Sequence, residues 1–202
     1  MSGRRIVLAS GNAHKALELA RVLPGWDVQP FGGGLPEETG ETFRENALLK
    51  ARHVHAAVGG GEWVLADDSG IEAAALGGVP GVRSARYAGE GATDEENLAK
   101  LLAAVEGRGD RRVRYVAELV AIAPDGAELH GRGELTGTLA AAPRGSGGFG
   151  YDPAFVPDGE TRTVAEMAPE EKDAMSHRAR AAAALLPQLP RGQSPHGDCP
   201  PE

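Results

Sequence analysis

The sequence predicts an α/β fold built on a mixed, partly antiparallel sheet, on two observations. Over the first half, short apolar runs alternate with amphipathic helical stretches, the pattern of βαβ units. Later, residues 113–123 and 127–139 are two long β-type runs joined by Pro124-Asp125-Gly126, which reads as a hairpin. A pure doubly wound sheet would not contain that hairpin.

Taken in order, Arg5-Ile6-Val7-Leu8-Ala9 is a first strand ending in Ser10-Gly11-Asn12. A helix carrying Leu17, Leu19, Ala20 and Leu23 follows and stops at Pro24-Gly25,. Residues 26–31 form a second strand, and Gly32-Gly33-Gly34 a connector. After the acidic loop at 36–41, Thr42 and Glu45 have capping-box spacing,. The helix they open aligns Phe43, Ala47, Ala51, Val54 and Val58 on one face, with Lys50 at its edge,. Gly59-Gly60-Gly61 ends it. A short strand, Trp63 to Ala66, then runs into Asp67-Asp68-Ser69-Gly70. Thr93 and Glu96 repeat the capping box before a helix through Leu98, Leu101, Leu102 and Val105,. Pro169 opens a last helical region that ends near Leu189. From residue 190 onward, proline, glycine and polar residues predict a disordered tail,.

Composition narrows the function. A chain of 202 residues makes one large domain or two small lobes,. Its net charge of −8 argues against a general nucleic-acid binder, whose affinity comes from neutralising phosphates,. A nucleotide enzyme needs only a few cations and a metal. The single cysteine, Cys199, allows no internal disulfide framework and no cysteine zinc site,. No run approaches the ~20 apolar residues that span a bilayer, and the run after Arg4-Arg5 is too short for a signal-peptide core. The expected location is cytoplasmic, with no membrane partner.

Asp67-Asp68-Ser69-Gly70 carries the strongest chemistry. Strand ends are where α/β proteins place reactive groups, and adjacent carboxylates repel unless a cation or proton lies between them. That suits Mg²⁺, which takes one or two carboxylates and keeps several waters. Ser10-Gly11-Asn12-Ala13-His14-Lys15 joins a strand to a helix start, where backbone N–H groups and a lysine can meet an anion. Gly145-Ser146-Gly147-Gly148-Phe149-Gly150 matches the dinucleotide fingerprint in form only, because Pro153 and Pro157 preclude the helix it requires,. What remains is a loop offering Phe149, Tyr151 and Asp152, with an aromatic wall for a flat base. Lys172 and His177 would point about 140° apart on one unbroken helix. Ser176 can instead cap a fresh helix beginning His177-Arg178, freeing Lys172 to face the same pocket.

In this order, and together with Glu38-Thr39-Gly40, Gly77-Gly78-Val79-Pro80-Gly81 and Ser84-Ala85-Arg86-Tyr87, these motifs resemble the inosine triphosphate pyrophosphatase family. The resemblance spans residues 6–189, makes residues 1–189 a single two-lobed domain and leaves 190–202 as the tail. It implies an elongated mixed sheet with a cleft between two lobes, assembled as a homodimer. The implied reaction is Mg²⁺-dependent hydrolysis of deaminated purine nucleoside triphosphates to monophosphate and pyrophosphate. Asp68 matches the general base and a metal ligand. Glu37 matches the other ligand, with Glu38 and Glu41 beside it as alternatives. Ser10, Gly11, Asn12, Ala13, His14 and Lys15 match the triphosphate loop. Ser69, Phe149, Gly150, Tyr151, Asp152, Lys172, His177 and Arg178 match further substrate contacts. Competing expectations are a Maf-like pyrophosphatase of modified pyrimidine nucleotides and a nucleotide-sensing module without catalysis.

Overall fold

Residues 4–190 are described by a computed structural model. The tail expected over residues 190–202, with Cys199, lies outside the described residues apart from Pro190. The elements are β1 (Arg4–Ala9), α1 (Ala13–Val22), β2 (Trp26–Pro30), α2 (Phe43–Ala57), β3 (Trp63–Ala73), α3 (Asp94–Val105), β4 (Arg112–Ile122), β5 (Glu128–Leu139), β6 (Phe155–Pro157), α4 (Pro169–Met175) and α5 (His177–Leu185). They build an open six-stranded sheet in the order β2-β1-β3-β4-β5-β6. β1 pairs in parallel with β2 and β3, and the pairings from β3 through β6 are antiparallel. The mixed sheet and the long hairpin of β4 with β5 match the sequence expectation.

Alternation along β1 and β3 sorts side chains onto two faces. Ile6, Leu8 and Leu65 pack with Leu19 of α1 and with Ala181, Ala182 and Leu185 of α5. Val7, Ala9, Val64 and Ala66 face the opposite way, against Ala47, Ala51 and Val54 of α2. A third cluster gathers Ile71, Leu98, Leu101, Leu135, Tyr151 and Phe155 around α3 and the far ends of β3–β5. The core is thus divided between the β1–α1–α2 end and the α3–β6 end. Both expected capping boxes are present, Thr42 with Glu45 and Thr93 with Glu96.

One expectation is corrected. The strand before the aspartates does not stop at Ala66; β3 continues through Asp67-Asp68-Ser69-Gly70 to Ala73. Pairing with β1 ends where β1 ends, at Ala9 opposite Ala66, while β4 pairs with β3 from Val64 to Ala73. Antiparallel hydrogen bonds on one side therefore keep the segment extended after the parallel neighbour has gone. The aspartates lie mid-strand, beside the edge that β1 leaves free.

α5 lies directly on β5 because β5 is bare there. A Cβ at Gly133 would fall within 3 Å of backbone atoms of His177, Arg180 and Ala181, and one at Gly131 equally close to Ala181 and Leu185. Neither backbone can yield as a side-chain tip would. This approach lowers the start of α5 onto the sheet beside Asp67. Gly133→Ala is therefore expected to destabilise the protein by about 1–3 kcal/mol through overpacking, measured as a lower urea midpoint. An unchanged midpoint would show that α5 does not need the gap.

Candidate active site

The pleat decides what the two aspartates do. Asp67 follows Leu65 onto the α1–α5 face, and Asp68 follows Ala66 onto the α2 face, so neighbours in sequence meet different cations. Asp67 is fully buried, paired with Lys15 and, at 3.0 Å, with Nε of Arg178. Burial pushes its pKa up, but Arg178, Lys15 and Lys50 outweigh burial and hold it well below the usual carboxylate range. Asp68 receives Lys50 Nζ at 3.0 Å on Oδ1, while its buried Oδ2 has no partner. Burial raises Asp68 to about 6, against the pull of Lys50 and Lys15 and with a further push from Glu38.

Glu38 completes this side. Lys50 donates to it at 2.5 Å, and Arg86 approaches its other oxygen at 3.4 Å. Lys50 thus bridges Glu38 and Asp68, and the two carboxylates keep it protonated against the cost of burial. Glu37, matched to the second metal ligand by resemblance, is exposed and absent from the cleft lining. Glu38, one of the alternatives beside it, lines the cleft with Asp68. Adjacent residues of an irregular loop point in different directions, and the ion pair with Lys50 selects which one turns inward.

The opposite wall comes from the chain's C-terminal third. Ser176 breaks the helix as expected, its Oγ accepting from Ala179 N at 3.1 Å. Lys172 of α4 and the His177-Arg178 start of α5 consequently line one cleft. Lys172 donates to Asp152 Oδ2 at 2.6 Å, and Asp152 also accepts from Tyr115 OH and Phe149 N, each at 3.0 Å. Tyr151 is buried and donates its hydroxyl to Ser84 O at 2.7 Å. His177 stacks on Tyr115 at 4.6 Å. Burial, Arg178 and Lys172 lower its pKa well below the ordinary value, so the ring is neutral. Arg178 commits three of its five N–H groups, through Nε to Asp67, Nη1 to Glu18 and Nη2 to Ser69 Oγ.

The cleft brings together Asn12, Lys15, Asp68, Ser69, Phe149, Gly150, Tyr151, Asp152, Lys172, His177 and Arg178, all expected from sequence. Ser10, Gly11, Ala13 and His14 are outside its lining. Ser10 Oγ accepts from Asn12 N, and Asn12 Oδ1 caps His14 N and Lys15 N at 2.9 and 3.1 Å. Three of the loop's amides, at Asn12, His14 and Lys15, are therefore engaged by its own side chains. His14 stacks on Phe149 with centroids 5.2 Å apart. Sequence reasoning missed Glu18, Lys50, Tyr115 and the role of Ser84, which accepts the Tyr151 contact at its carbonyl and binds Ile71 N through Oγ. A signal existed for two of them: a lysine and a glutamate on the apolar faces of their helices.

The residues fit a magnesium ion. Asp68 and Glu38 supply hard oxygen donors, and the free buried Oδ2 of Asp68 is a lone pair without an occupant among protein groups. Among the described residues no group of three or more acidic, histidine or cysteine side chains could hold a metal alone. Such a partial shell suits Mg²⁺, which completes its coordination with waters and substrate phosphates.

Comparison with known proteins places this geometry. A profile described as the Ham1 family matches residues 6–188. A protein of Deinococcus deserti named dITP/XTP pyrophosphatase is 52% identical over 188 residues, covering 92% of this chain and 89% of that one. One of the same name from Mycobacterium tuberculosis is 48% identical, covering 92% and 95%. Among solved structures, a HAM1 protein from Coxiella burnetii superposes with a TM-score of 0.82 at 41% identity, covering 92% and 98%. A nucleoside-triphosphatase, or dITP/XTP pyrophosphatase, of Mycobacterium abscessus gives 0.71 at 43%, covering 91% and 99%.

His177 carries a testable consequence. Its folded pKa lies below the unfolded value of 6.5, so below that pH the unfolded chain binds the additional proton. Stability is complete above about 6.5 and falls as pH drops, by up to ~1.4 kcal/mol per unit for one proton. Urea denaturation at pH 7, 6 and 5 should show a steeper acid loss for wild type than for His177→Asn. Parallel losses would mean that His177 protonates freely in the fold.

Proposed function

The chain belongs to the Ham1 family, and on that premise we propose that it hydrolyses deaminated purine nucleoside triphosphates, dITP, ITP and XTP, to monophosphate and pyrophosphate. One observation carries the reading: Lys15, Asp68, Tyr151, Lys172 and Arg178, from segments far apart in sequence, line a single cleft. Asp68, raised by burial yet next to Lys50, is the base that orients a water and accepts its proton as the water attacks the α-phosphorus. The bond from that phosphorus to the bridging oxygen breaks, and pyrophosphate leaves. Lys15 and Lys172 offer cations to the departing group. Mg²⁺, held by Asp68 and Glu38, supplies neutralisation of the phosphate oxygens when bound. Phe149 is the plate for the base, and His177 with Arg178 stands at its edge. Donors there donate to a 6-oxo group and oppose a 6-amino group, at ~1–3 kcal/mol for each unpaired group. The nucleotide pool is cytoplasmic, which is the location we infer. Among the described residues no helix is long and apolar enough to cross a membrane.

The test is a panel of triphosphates with Mg²⁺, scoring pyrophosphate separately from orthophosphate. Pyrophosphate from dITP, ITP and XTP well above that from dATP is expected, and Asp68→Asn should lower turnover about 10²–10⁴-fold with nucleotide binding retained. Orthophosphate as the product, preference for a methylated pyrimidine, or binding without hydrolysis would overturn the assignment.

We further propose a homodimer. α2 leaves part of the sheet uncovered, and a groove of about 1010 Å³ runs there past Glu72, Val79, Arg114, Glu118 and Arg132. Its walls carry both signs of charge, so the same patch can face itself across a two-fold axis without opposing like charges. Light scattering should return twice the 20.9 kDa chain mass; a monomer at micromolar concentration would refute the assembly.

A further inference from the structure

Ala13 to Lys15 form the first turn of α1, and Glu18 stands one turn further along. Spacings of three and four residues put Glu18 on the face that carries Lys15 and His14. Its side chain is 7% exposed, and a carboxylate buried without partners costs several kcal/mol. Two cations satisfy it. Lys172 Nζ lies 2.6 Å from Oε1, and Arg178 Nη1 pairs with Oε2. These cations belong to α4 and α5, on either side of the break at Ser176. Each also has an anion of its own, Asp152 for Lys172 at 2.6 Å and Asp67 for Arg178 at 3.0 Å. Among the described residues Glu18 alone grips both. The pair in turn flanks the aromatic ring, with Lys172 Nζ 4.8 Å and Arg178 Cζ 5.7 Å from the Phe149 centroid, within the range of cation–π attraction.

We propose that Glu18 is a positioning residue that sets base selectivity: by pairing with Arg178 and drawing Lys172 against it, it fixes the guanidinium at the base edge beside the Phe149 plate. The inference rests on the nucleotide reading above. A donor opposes an amino group only while it is held in place; without Glu18 the Arg178 guanidinium keeps Asp67 and Ser69 but loses the contact at Nη1 that fixes its tilt, and the penalty against the 6-amino base weakens. Loss of the carboxylate also leaves the cleft one unit more positive, which favours every triphosphate alike. Discrimination therefore falls while general affinity does not.

The experiment measures kcat and KM for dITP and dATP with Mg²⁺ in wild type, Glu18→Gln and Glu18→Asp. Glutamine keeps the length and loses the charge, whereas aspartate keeps the charge and is one methylene too short to bridge both cations. The ratio of kcat/KM for dITP over dATP is expected to drop at least tenfold in both variants, with the dATP KM unchanged or lower. Should Glu18→Gln fail to fold, the aspartate ratio decides. Equal losses on both substrates, leaving the ratio unchanged, would reduce Glu18 to a structural ion pair and overturn the proposal. Wild type that turns over no dITP overturns the nucleotide reading itself, a failure separate from that of Glu18.

Discussion

A carboxylate with no access to water sits at the centre of this fold. Asp67 is fully buried in β3 and must be paired, because an ionised group in the interior cannot stand alone. Lys15 from the start of α1 and Arg178 from the start of α5 supply the charge. Each of these helices is thereby tied to the strand at the point where β1 ends. Removing one partner of such a pair typically costs 3–5 kcal/mol. The pairing continues beyond Asp67 through Arg178, Glu18 and Lys172 to Asp152. Positive and negative groups alternate along this chain, so no charge in it is left uncompensated. A site lined by groups already locked in this way meets its ligand with little reordering.

The neighbouring aspartate shows the complementary case. Asp68 differs from Asp67 only by one step along the strand, yet the pleat sends it to the other face. There it shares Lys50 with Glu38 instead of owning a cation, and one oxygen has no partner. The outcome is one carboxylate held firmly ionised and one raised to about 6. Environments that drive two adjacent acids apart separate structural from reactive roles. Asp67 assembles the cleft; Asp68 remains available for chemistry.

Close backbone approach does the rest. Gly131 and Gly133 let α5 settle on β5, and Gly70 admits the turn at Gly81–Arg86 (a Cβ at Gly70 would collide with Ser84 and Gly81 O). That turn brings Ser84 to Ile71 and offers its carbonyl to Tyr151. Arg86, from the same turn, reaches Glu38. The cleft is accordingly walled by segments that side chains larger than hydrogen would hold apart.

Much of this was legible in the chain because it is local. Two long β-type runs joined by a turn marked β4 and β5, capping boxes marked the starts of α2 and α3, and Ser176 marked the break that frees Lys172. Each signal lies within a few residues of its effect. The turning of Glu38 into the cleft, the division of Asp67 from Asp68 between faces, and the gathering of Lys172 and Arg178 by Glu18 were decided only in three dimensions. Glu18 and Arg178 are 160 residues apart, and the free edge of β3 exists because a different strand stops at Ala9. Backbone patterns are set by neighbours in sequence, whereas the burial that makes a charge choose its partner is set by neighbours in space.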